Sequence, residues 1–302
     1  MTERFASVDI GTNSALLLIA ERRDGPLQPV SQRIAVPRVG RDLSATGRIS
    51  DESFRALAEV LHAFLAEIAV HRARLVGAVA TQAFRVAANG PELLAEASRI
   101  LGCEARIIAG PEESRLGYLA VADRHARAAG GAEAGLAVID IGGGSTEVSR
   151  KAGGVSIPIG AVALMEACGQ DAAACRARAA AAFAGRFPDR DPRADLVAVG
   201  GTATALALLE LKLPAFDPAA IEGLEIGRAR VAAAVGLLAG LPIEARARLP
   251  GMEKNRADIL MPGLCILESL LDALGADRFR VSDRGIRYGI IVDWLDNGRP
   301  GT

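Results

Sequence analysis

The sequence predicts an α/β protein built from two lobes on one duplicated plan. Asp9-Ile10-Gly11-Thr12-Asn13-Ser14 and Asp140-Ile141-Gly142-Gly143-Gly144-Ser145 are the same device written twice, an apolar strand running into an Asp and then a loop of small residues. Strand-like and helix-like segments alternate on both sides of the second copy, which is the pattern of an α/β class. At 302 residues the chain is long enough for two domains with a core in each.

Phe5-Ala6-Ser7-Val8 is short and largely apolar, as suits a strand buried in a sheet, and it delivers Asp9. After the loop, residues 15–21 resume an apolar run that reads as the return strand of a hairpin, whereas a dinucleotide fold would open a helix there. From Asp51 the apolar residues Phe54, Leu57, Leu61, Phe64, Leu65 and Ile68 recur at three and four, and Ser50 is placed to cap the helix. His62 and His71 fall in or just after it and are assigned no ligand role. Residues 75–80 predict a strand leading to Thr81. Asn89-Gly90-Pro91 starts a helix that Gly102 terminates. Residues 106–108 are a further strand, and Ala109-Gly110-Pro111-Glu112-Glu113 opens a helix that runs past Tyr118 and Val121. Residues 128–132 form a small, flexible stretch before the second Asp strand, Leu136-Ala137-Val138-Ile139. Residues 151–154 make a turn, 155–159 a strand, and Gly160 precedes a helix over 161–168. Leu196-Val197-Ala198-Val199 then feeds Gly200-Gly201-Thr202-Ala203-Thr204 into another helix. This third strand-Gly-helix junction reads equally as an anion-binding helix start and as a tight turn with close packing. Phe279-Arg280-Val281 is a strand, 282–285 a turn, and 286–295 the last helix; 189–195 is a charged loop.

Composition narrows the function. Thirty-five Lys and Arg balance 36 Asp and Glu, so nothing marks a nucleic-acid binder, and 4% aromatic residues leave no stacking platform. No apolar run approaches the roughly 18–20 residues that span a bilayer, and the chain enters its first strand at once, so neither a membrane anchor nor a signal peptide is expected. The four cysteines form no Cys-x-x-Cys pair and, with three histidines, no metal cluster; they read as core thiols of a cytoplasmic protein.

The two loops suit phosphate. Backbone amides approach phosphate oxygens where side chains beyond Cβ are missing, which Gly142, Gly143 and Gly144 provide. Ser14, Ser145 and Thr146 add hydroxyls, and an Asp at a strand end holds a hydrated Mg²⁺ without meeting the phosphate directly. Two copies point to a two-lobed phosphate clamp.

Taken together, the segments resemble the exopolyphosphatase/guanosine pentaphosphate phosphohydrolase family, over nearly the whole chain. The matching stretches are Val8 to Ser14, Ala80 to Arg85 with Asn89, Ile108 to Arg115, Asp140 to Glu147, Val199 to Thr202, Arg256-Ala257-Asp258 and Ser282 to Arg287. The string Gly-Gly-Gly-Ser-Thr-Glu over 142–147 is the most specific, because sugar kinases and chaperones of the same fold usually lack it. The resemblance implies two ribonuclease H-like lobes of the actin-like ATPase fold facing across a cleft. One would take residues 1–111 and about 288–302, the other 112–287. It implies Glu113 as the carboxylate that orients or deprotonates the attacking water and Arg85 as a cationic stabiliser. On local sequence alone, Pro111-Glu112-Glu113 is also an ordinary helix start with acids on the dipole. Asp9, Asp140 and Glu147 are implied to face one Mg²⁺ or Mn²⁺. Gly11, Thr12, Asn13, Ser14, Gly142 to Thr146, Gly201, Thr202 and, in a looser match, Arg38 would bind phosphate. The family's Arg-Glu-Gly is Arg287-Tyr288-Gly289 here, and the chain matches the short two-domain members, which lack the C-terminal helical domains of longer ones.

The function so implied is release of terminal phosphate from inorganic polyphosphate, with guanosine pentaphosphate as the alternative substrate. Phosphoanhydride hydrolysis needs mostly positioning and charge stabilisation from a protein. A kinase of the same fold is disfavoured because no second substrate-binding motif occurs and Glu113 stands where a water-directing group belongs. A non-catalytic sensor of polyphosphate or a guanosine nucleotide is the third reading. A homodimer fits the family.

Overall fold

The computed structural model describes residues 3–23, 25–128, 135–188, 191 and 194–298. The expected flexible stretch beyond Ala128, and residues 189, 190, 192 and 193 of the expected charged loop, lie outside the described residues. The chain divides into two compact units, Met1–Ala134 with Ala152–Val155 and Arg284–Thr302, and Gly135–Lys151 with Ser156–Asp283.

The first unit begins with strands β1 (Arg4–Ile10), β2 (Ala15–Glu21) and β3 (Gln28–Ala35), a short helix α1 (Leu43–Thr46), the long helix α2 (Asp51–His71) and strand β4 (Arg74–Ala80). It continues through α3 (Gln82–Val86), α4 (Gly90–Leu101), β5 (Ala105–Ile107) and α5 (Gly110–Ala128). The sheet runs β3-β2-β1-β4-β5, with an antiparallel meander on one side of β1 and parallel strands on the other. Both faces of β1 are buried, which is why it reads as a continuous apolar run. Helix α2 is fixed by sequence at both ends. Ser50 accepts a hydrogen bond from the Ser53 amide at 3.2 Å, Asp51 and Glu52 complement the dipole, and Arg72 closes the helix in the left-handed region. Its buried residues Leu57, Leu61, Phe64 and Ile68 lie on one stripe and join the core under the sheet.

The second unit carries β6 (Leu136–Ile141), β7 (Thr146–Arg150), the end of β8 (Gly153–Ile157), whose residues to Val155 group with the first unit, α6 (Ala161–Cys168), α7 (Ala172–Phe183), β9 (Asp195–Val199) and α8 (Gly200–Leu211). Then follow α9 (Pro218–Ile221), β10 (Glu225–Gly227), α10 (Arg228–Ala239), α11 (Ile243–Arg246), a 3₁₀ turn over Lys254–Arg256, α12 (Leu260–Leu274) and β11 (Arg278–Val281). Its sheet order is β10-β11-β9-β6-β7-β8. Read from β8, this is the first sheet again: a meander of three strands, then parallel neighbours of the central strand, with β10 added as an antiparallel edge. The duplicated α/β plan expected from the two Asp loops is therefore present strand for strand.

The last helix, α13 (Ile286–Asn297), returns to the first unit. A Cβ on Gly289 would strike the Leu116 backbone of α5, so the glycine allows the two helices to touch. This packing moves the division between the units. The boundary expected at residue 111 would cut off α5 at its start, but Leu116 and Ala120 of that helix lie in cores shared with Ile286, Ile290 and Ile291. The helix stays with the first unit, and the division falls at residues 134/135. The strand expected over 155–159 ends earlier, at Ile157, because Pro158 has no amide to donate to a ladder, and beyond it the Ile159 carbonyl accepts the Thr146 hydroxyl at 2.6 Å.

Candidate active site

Each unit presents its own set of site residues. In the first unit, Asp9 stands at the end of β1 and is 6% exposed. The loop behind it is closed by a hydrogen bond from the Gly11 amide to the Ser14 carbonyl at 2.9 Å, and Asn13 Nδ2 donates to Ser14 Oγ at 3.2 Å. A second segment lies along this loop. The Arg38 amide donates to the Asn13 carbonyl at 3.0 Å and the Gly40 amide to the Thr12 carbonyl at 2.8 Å. A Cβ on Gly40 would strike the Thr12 side chain, so the glycine sets this close approach. Arg38 itself is left-handed at φ +53°, and its carbonyl accepts from Ser53 Oγ at 3.2 Å, which fixes its backbone beside the loop.

Glu113 and Arg85 come together. The Thr81 amide hydrogen-bonds to the Ile10 carbonyl, extending β4 alongside β1, and α3 then carries Arg85. Arg85 Nη1 donates to Glu113 Oε2 at 3.0 Å and to the Ile108 carbonyl, and Nη2 to Gln82 Oε1. Glu113 lies in the first turn of α5 and is 6% exposed, whereas Glu112 is turned aside to Arg106 at 3.0 Å. The choice of Glu113 over Glu112 thus has a physical basis, since only Glu113 is a buried carboxylate, held by the partly buried Arg85. Arg85 was expected as a cationic stabiliser beside Glu113. In the structure it holds Glu113, a positioning contact made with one of its nitrogens.

In the second unit the glycine loop repeats the first: the Gly142 amide donates to the Ser145 carbonyl at 2.9 Å. Here too a second segment braces the loop. The Ala161 amide donates to the Gly142 carbonyl at 2.9 Å, and the Val162 and Ala163 amides to the Gly143 carbonyl at 2.9 and 3.1 Å. The start of α6 is therefore bonded to the glycine loop, and a Cβ on Gly160 would sit 2.4 Å from the Gly143 carbonyl carbon and the Gly144 nitrogen.

Asp140 and Glu147 are paired directly across β6 and β7, so both side chains leave the same face of the sheet. Glu147 is 3% exposed and accepts from Ser156 Oγ at 2.6 Å. Gly200, at φ +80°, lies against Asp140: a Cβ there would overlap Asp140 Oδ1. Gly201 makes room in turn for the Arg256 guanidinium, whose Nε pairs with Glu253 at 2.9 Å. Thr202 and Thr204 lie in the first turn of α8, where Thr204 Oγ1 donates to the Gly200 carbonyl at 3.1 Å. Thr146 was expected on phosphate. It is 0% exposed and its hydroxyl is bound to Ile159, so its role is to hold the β7 hairpin and not to meet a ligand.

Sequence reasoning missed Gly40, Gly160, Ser156 and the position of Arg256. Arg256 stood in a motif, but nothing in the local spacing places it over Gly201. Among the described residues no three His, Cys, Asp or Glu side chains are gathered as a metal cage. The Asp140–Glu147 pair still suits Mg²⁺, which is usually held by one or two carboxylates while water and phosphate oxygens complete its shell. The oxygen-only donors fit that ion, and Gly200 lets the Asp140 carboxylate lie against the loop.

The sequence matches the Ppx/GppA phosphatase family over residues 18–298. The chain belongs to the Ppx/GppA phosphatase family. It is 30% identical to Exopolyphosphatase 2 of Mycobacterium tuberculosis, across 96% of this chain and 98% of that protein. Among solved structures it resembles the Aquifex aeolicus PPX-GPPA enzyme with a TM-score of 0.79 and 30% identity, over 97% of this chain and all of that one. An exopolyphosphatase from Cytophaga hutchinsonii shares the fold, with a TM-score of 0.84 at 19% identity over 99% of this chain and all of that one. The chain is accordingly a phosphoanhydride hydrolase with the actin-like α/β fold. Among the described residues no helix is long and apolar enough to cross a membrane.

Proposed function

We propose that this chain is a Mg²⁺-dependent exopolyphosphatase that removes the terminal phosphate of inorganic polyphosphate. The observation that supports it most is Glu113, a carboxylate buried in the first turn of α5 and held through one oxygen by Arg85. A carboxylate so held has a fixed orientation from which to align a water and take its proton. Full-length similarity to a protein named Exopolyphosphatase 2 supports polyphosphate as the substrate.

In this reading the Gly11 and Gly142 amides close their loops, and the amides of Thr12 to Ser14 and of Gly143 to Ser145 bind phosphoryl oxygens, as the small side chains permit. Asp140 and Glu147 hold Mg²⁺, with Asp9 as the acid of the first loop. The bound ion supplies charge neutralisation on phosphate oxygens. Arg85 keeps Glu113 in place, and Thr202, Gly201 and Arg38 line their respective loops for the remaining phosphates. The four unpaired thiols favour a reducing compartment, the cytoplasm, and a homodimer is the assembly the family suggests.

The test is phosphate release from a medium-length polyphosphate with Mg²⁺, comparing the wild type with Glu113→Gln. The variant keeps the shape of the side chain and loses its basicity. The reading expects release to fall about 10²–10⁴-fold in the variant, the usual contribution of a general base, with polyphosphate binding kept. Release from guanosine pentaphosphate alone would transfer the same roles to that substrate, and binding without turnover of either would make the chain a sensor.

A further inference from the structure

Within the first unit Arg85 is held on three sides. Its Nη1 donates to Glu113 Oε2 at 3.0 Å and to the Ile108 carbonyl, and its Nη2 donates to Gln82 Oε1. Nη1 carries two N–H groups and both are engaged, so Arg85 meets Glu113 through a single nitrogen on a single oxygen. A guanidinium beside a carboxylate readily forms a fork, with two parallel N–H···O bonds to the two oxygens. Here the second prong, Nη2, is taken by Gln82.

The backbone fixes both neutral acceptors. Gln82 is the first residue of α3 and Arg85 lies three positions on, the spacing that puts two side chains on one helix face. The Thr81 amide donates to the Ile10 carbonyl and the Arg85 amide to the Thr81 carbonyl, each at 3.1 Å, which ties the helix at its start. Phe84 is buried, and a Cβ on Gly90 would strike its carbonyl, so α3 is pressed against the start of α4. The Ile108 amide donates to the Ala80 carbonyl at 3.0 Å, extending the pairing of β5 with β4 by one residue up to the carbonyl that Nη1 meets. The Arg85 side chain is 23% exposed, and a long side chain with solvent on one side would sample other rotamers. Two uncharged acceptors hold it without a second carboxylate competing with Glu113 for its charge.

We propose that Gln82 is a positioning residue for the hydrolysis: by taking Nη2 it confines Arg85 to one oxygen of Glu113 and so sets the direction in which the carboxylate meets water. The inference rests on the reading of Glu113 as the group that aligns and deprotonates the attacking water. Gln82 acts through Arg85 and not on the substrate, so its effect falls on turnover and not on binding. When the acceptor is lost, Nη2 turns to Glu113 and closes the fork. The carboxylate is then bound through both oxygens and rotated away from the water. Its ionised form is also favoured more strongly, which makes it a weaker base.

The experiment measures steady-state phosphate release against pH, with melting curves, for the wild type, Gln82→Met, Gln82→Glu, Glu113→Gln and the double variant Gln82→Met with Glu113→Gln. The substrate is polyphosphate with Mg²⁺, or guanosine pentaphosphate where polyphosphate is not turned over. Gln82→Met keeps the length of the side chain and removes the acceptor. Its kcat should fall about 10–100-fold with KM held within about twofold, and the acid limb of its kcat/KM profile should move down by on the order of one pH unit, because the fork keeps Glu113 ionised to lower pH. Gln82→Glu restores the acceptor and adds a charge that competes for Arg85. It should recover most of the lost kcat and move the acid limb up, the opposite direction. In the Glu113→Gln background the Gln82→Met change should alter residual release by less than about twofold, since the two residues act in one network. Wild-type kcat and an unmoved acid limb in Gln82→Met overturn the inference and leave Glu113 as the base. A fall in kcat that comes with a lower melting temperature, and with no movement of the limb in either Gln82 variant, makes Gln82 a residue of the fold only and overturns the inference as well. Wild-type release in Glu113→Gln overturns the reading of Glu113 and this inference together, as does a wild type that releases phosphate from neither substrate.

Discussion

Gly160 tests how the glycine loop is held. It is extended, at φ −140°, so alanine is compatible with its backbone, and the only obstacle is space. The added Cβ would lie 2.4 Å from the Gly143 carbonyl carbon and the Gly144 nitrogen. Ordinary carbon contacts begin near 3.5 Å, so the loop or the start of α6 must retreat by about 1 Å. Neither is the far end of a flexible side chain. The three hydrogen bonds from Ala161, Val162 and Ala163 join the same two segments and would stretch with them. Overpacking of this kind costs about 1–3 kcal/mol, which lowers the melting temperature by roughly 2–10 °C in a chain of this size. A displacement of about 1 Å at groups that position a reacting phosphate costs on the order of 10²-fold in rate. The assay is phosphate release from polyphosphate together with thermal unfolding of Gly160→Ala. A variant with wild-type rate and wild-type melting temperature would refute the view that α6 sets the loop. A variant that melts lower yet turns over normally would show that the loop's position is not what its amides need.

Other consequences follow from burial and charge. Asp123 is 2% exposed at its side chain and accepts from Arg22 Nη2 at 2.7 Å, Arg284 Nη1 at 3.1 Å and the Leu27 amide at 3.0 Å. Asp123→Ala strips the carboxylate from the buried Arg284, and denaturant unfolding should show a loss of about 3–5 kcal/mol, much of it restored by adding Arg284→Met. Gly236 lies exposed inside α10 with nothing near its missing Cβ, so Gly236→Ala should raise stability by up to about 1 kcal/mol in the same assay. The hydrogen bonds from Arg115 hold the Asp293 carboxyl below the usual carboxylate range, against the opposing effect of burial. A depressed folded value stabilises the fold above the unfolded carboxylate value and loses that contribution as pH falls through the folded one. The stability gap between wild type and Asp293→Asn should therefore be full at neutral pH and close below about pH 4; a gap unchanged into acid would count against the pair.

The parts of the fold that could be read from sequence are those with one-sided chemistry. The Asp strands, the capped stripe of α2 and the start of α6 after Gly160 were all legible, because each couples a hydrophobic pattern to a distinct end signal. Helix α12 was not, since Leu260–Leu274 is buried along almost its whole length and Ile259 at its start supplies no side-chain cap to mark it. Helix α7 was hidden differently: its alanines favour a helix but mark no buried face. At the site, residue identity was more legible than partnership. Glu113 and Arg85 were both named, yet their ion pair depends on α3 and α5 being brought together by β4 and β5, a long-range placement no local spacing contains. Thr146 was misread for a related reason. Its hydroxyl looked available in the string, but the carbonyl that takes it belongs to Ile159, thirteen positions on.

The two Asp hairpins show where a duplicated backbone and its chemistry part. Both loops are closed by the same hydrogen bond, Gly11 to Ser14 and Gly142 to Ser145, and both have a second segment bonded along them. The strand registers are also equivalent, so the residue opposite each Asp is fixed by geometry: Leu16 for Asp9 and Glu147 for Asp140. A second carboxylate beside Asp140 makes a local negative pair that a divalent cation relieves. Leucine beside Asp9 leaves a single charge at that strand pair. If both hairpins held carboxylate pairs, the loops would add negative charge wherever phosphate must approach. On the proposed function, one pair would gather the charge for a cation at a single loop, and the other loop would keep its amides for the anion. The repeat thus conserves the turn that presents backbone N–H groups, and a single cross-strand position, 16 against 147, makes the two halves chemically different.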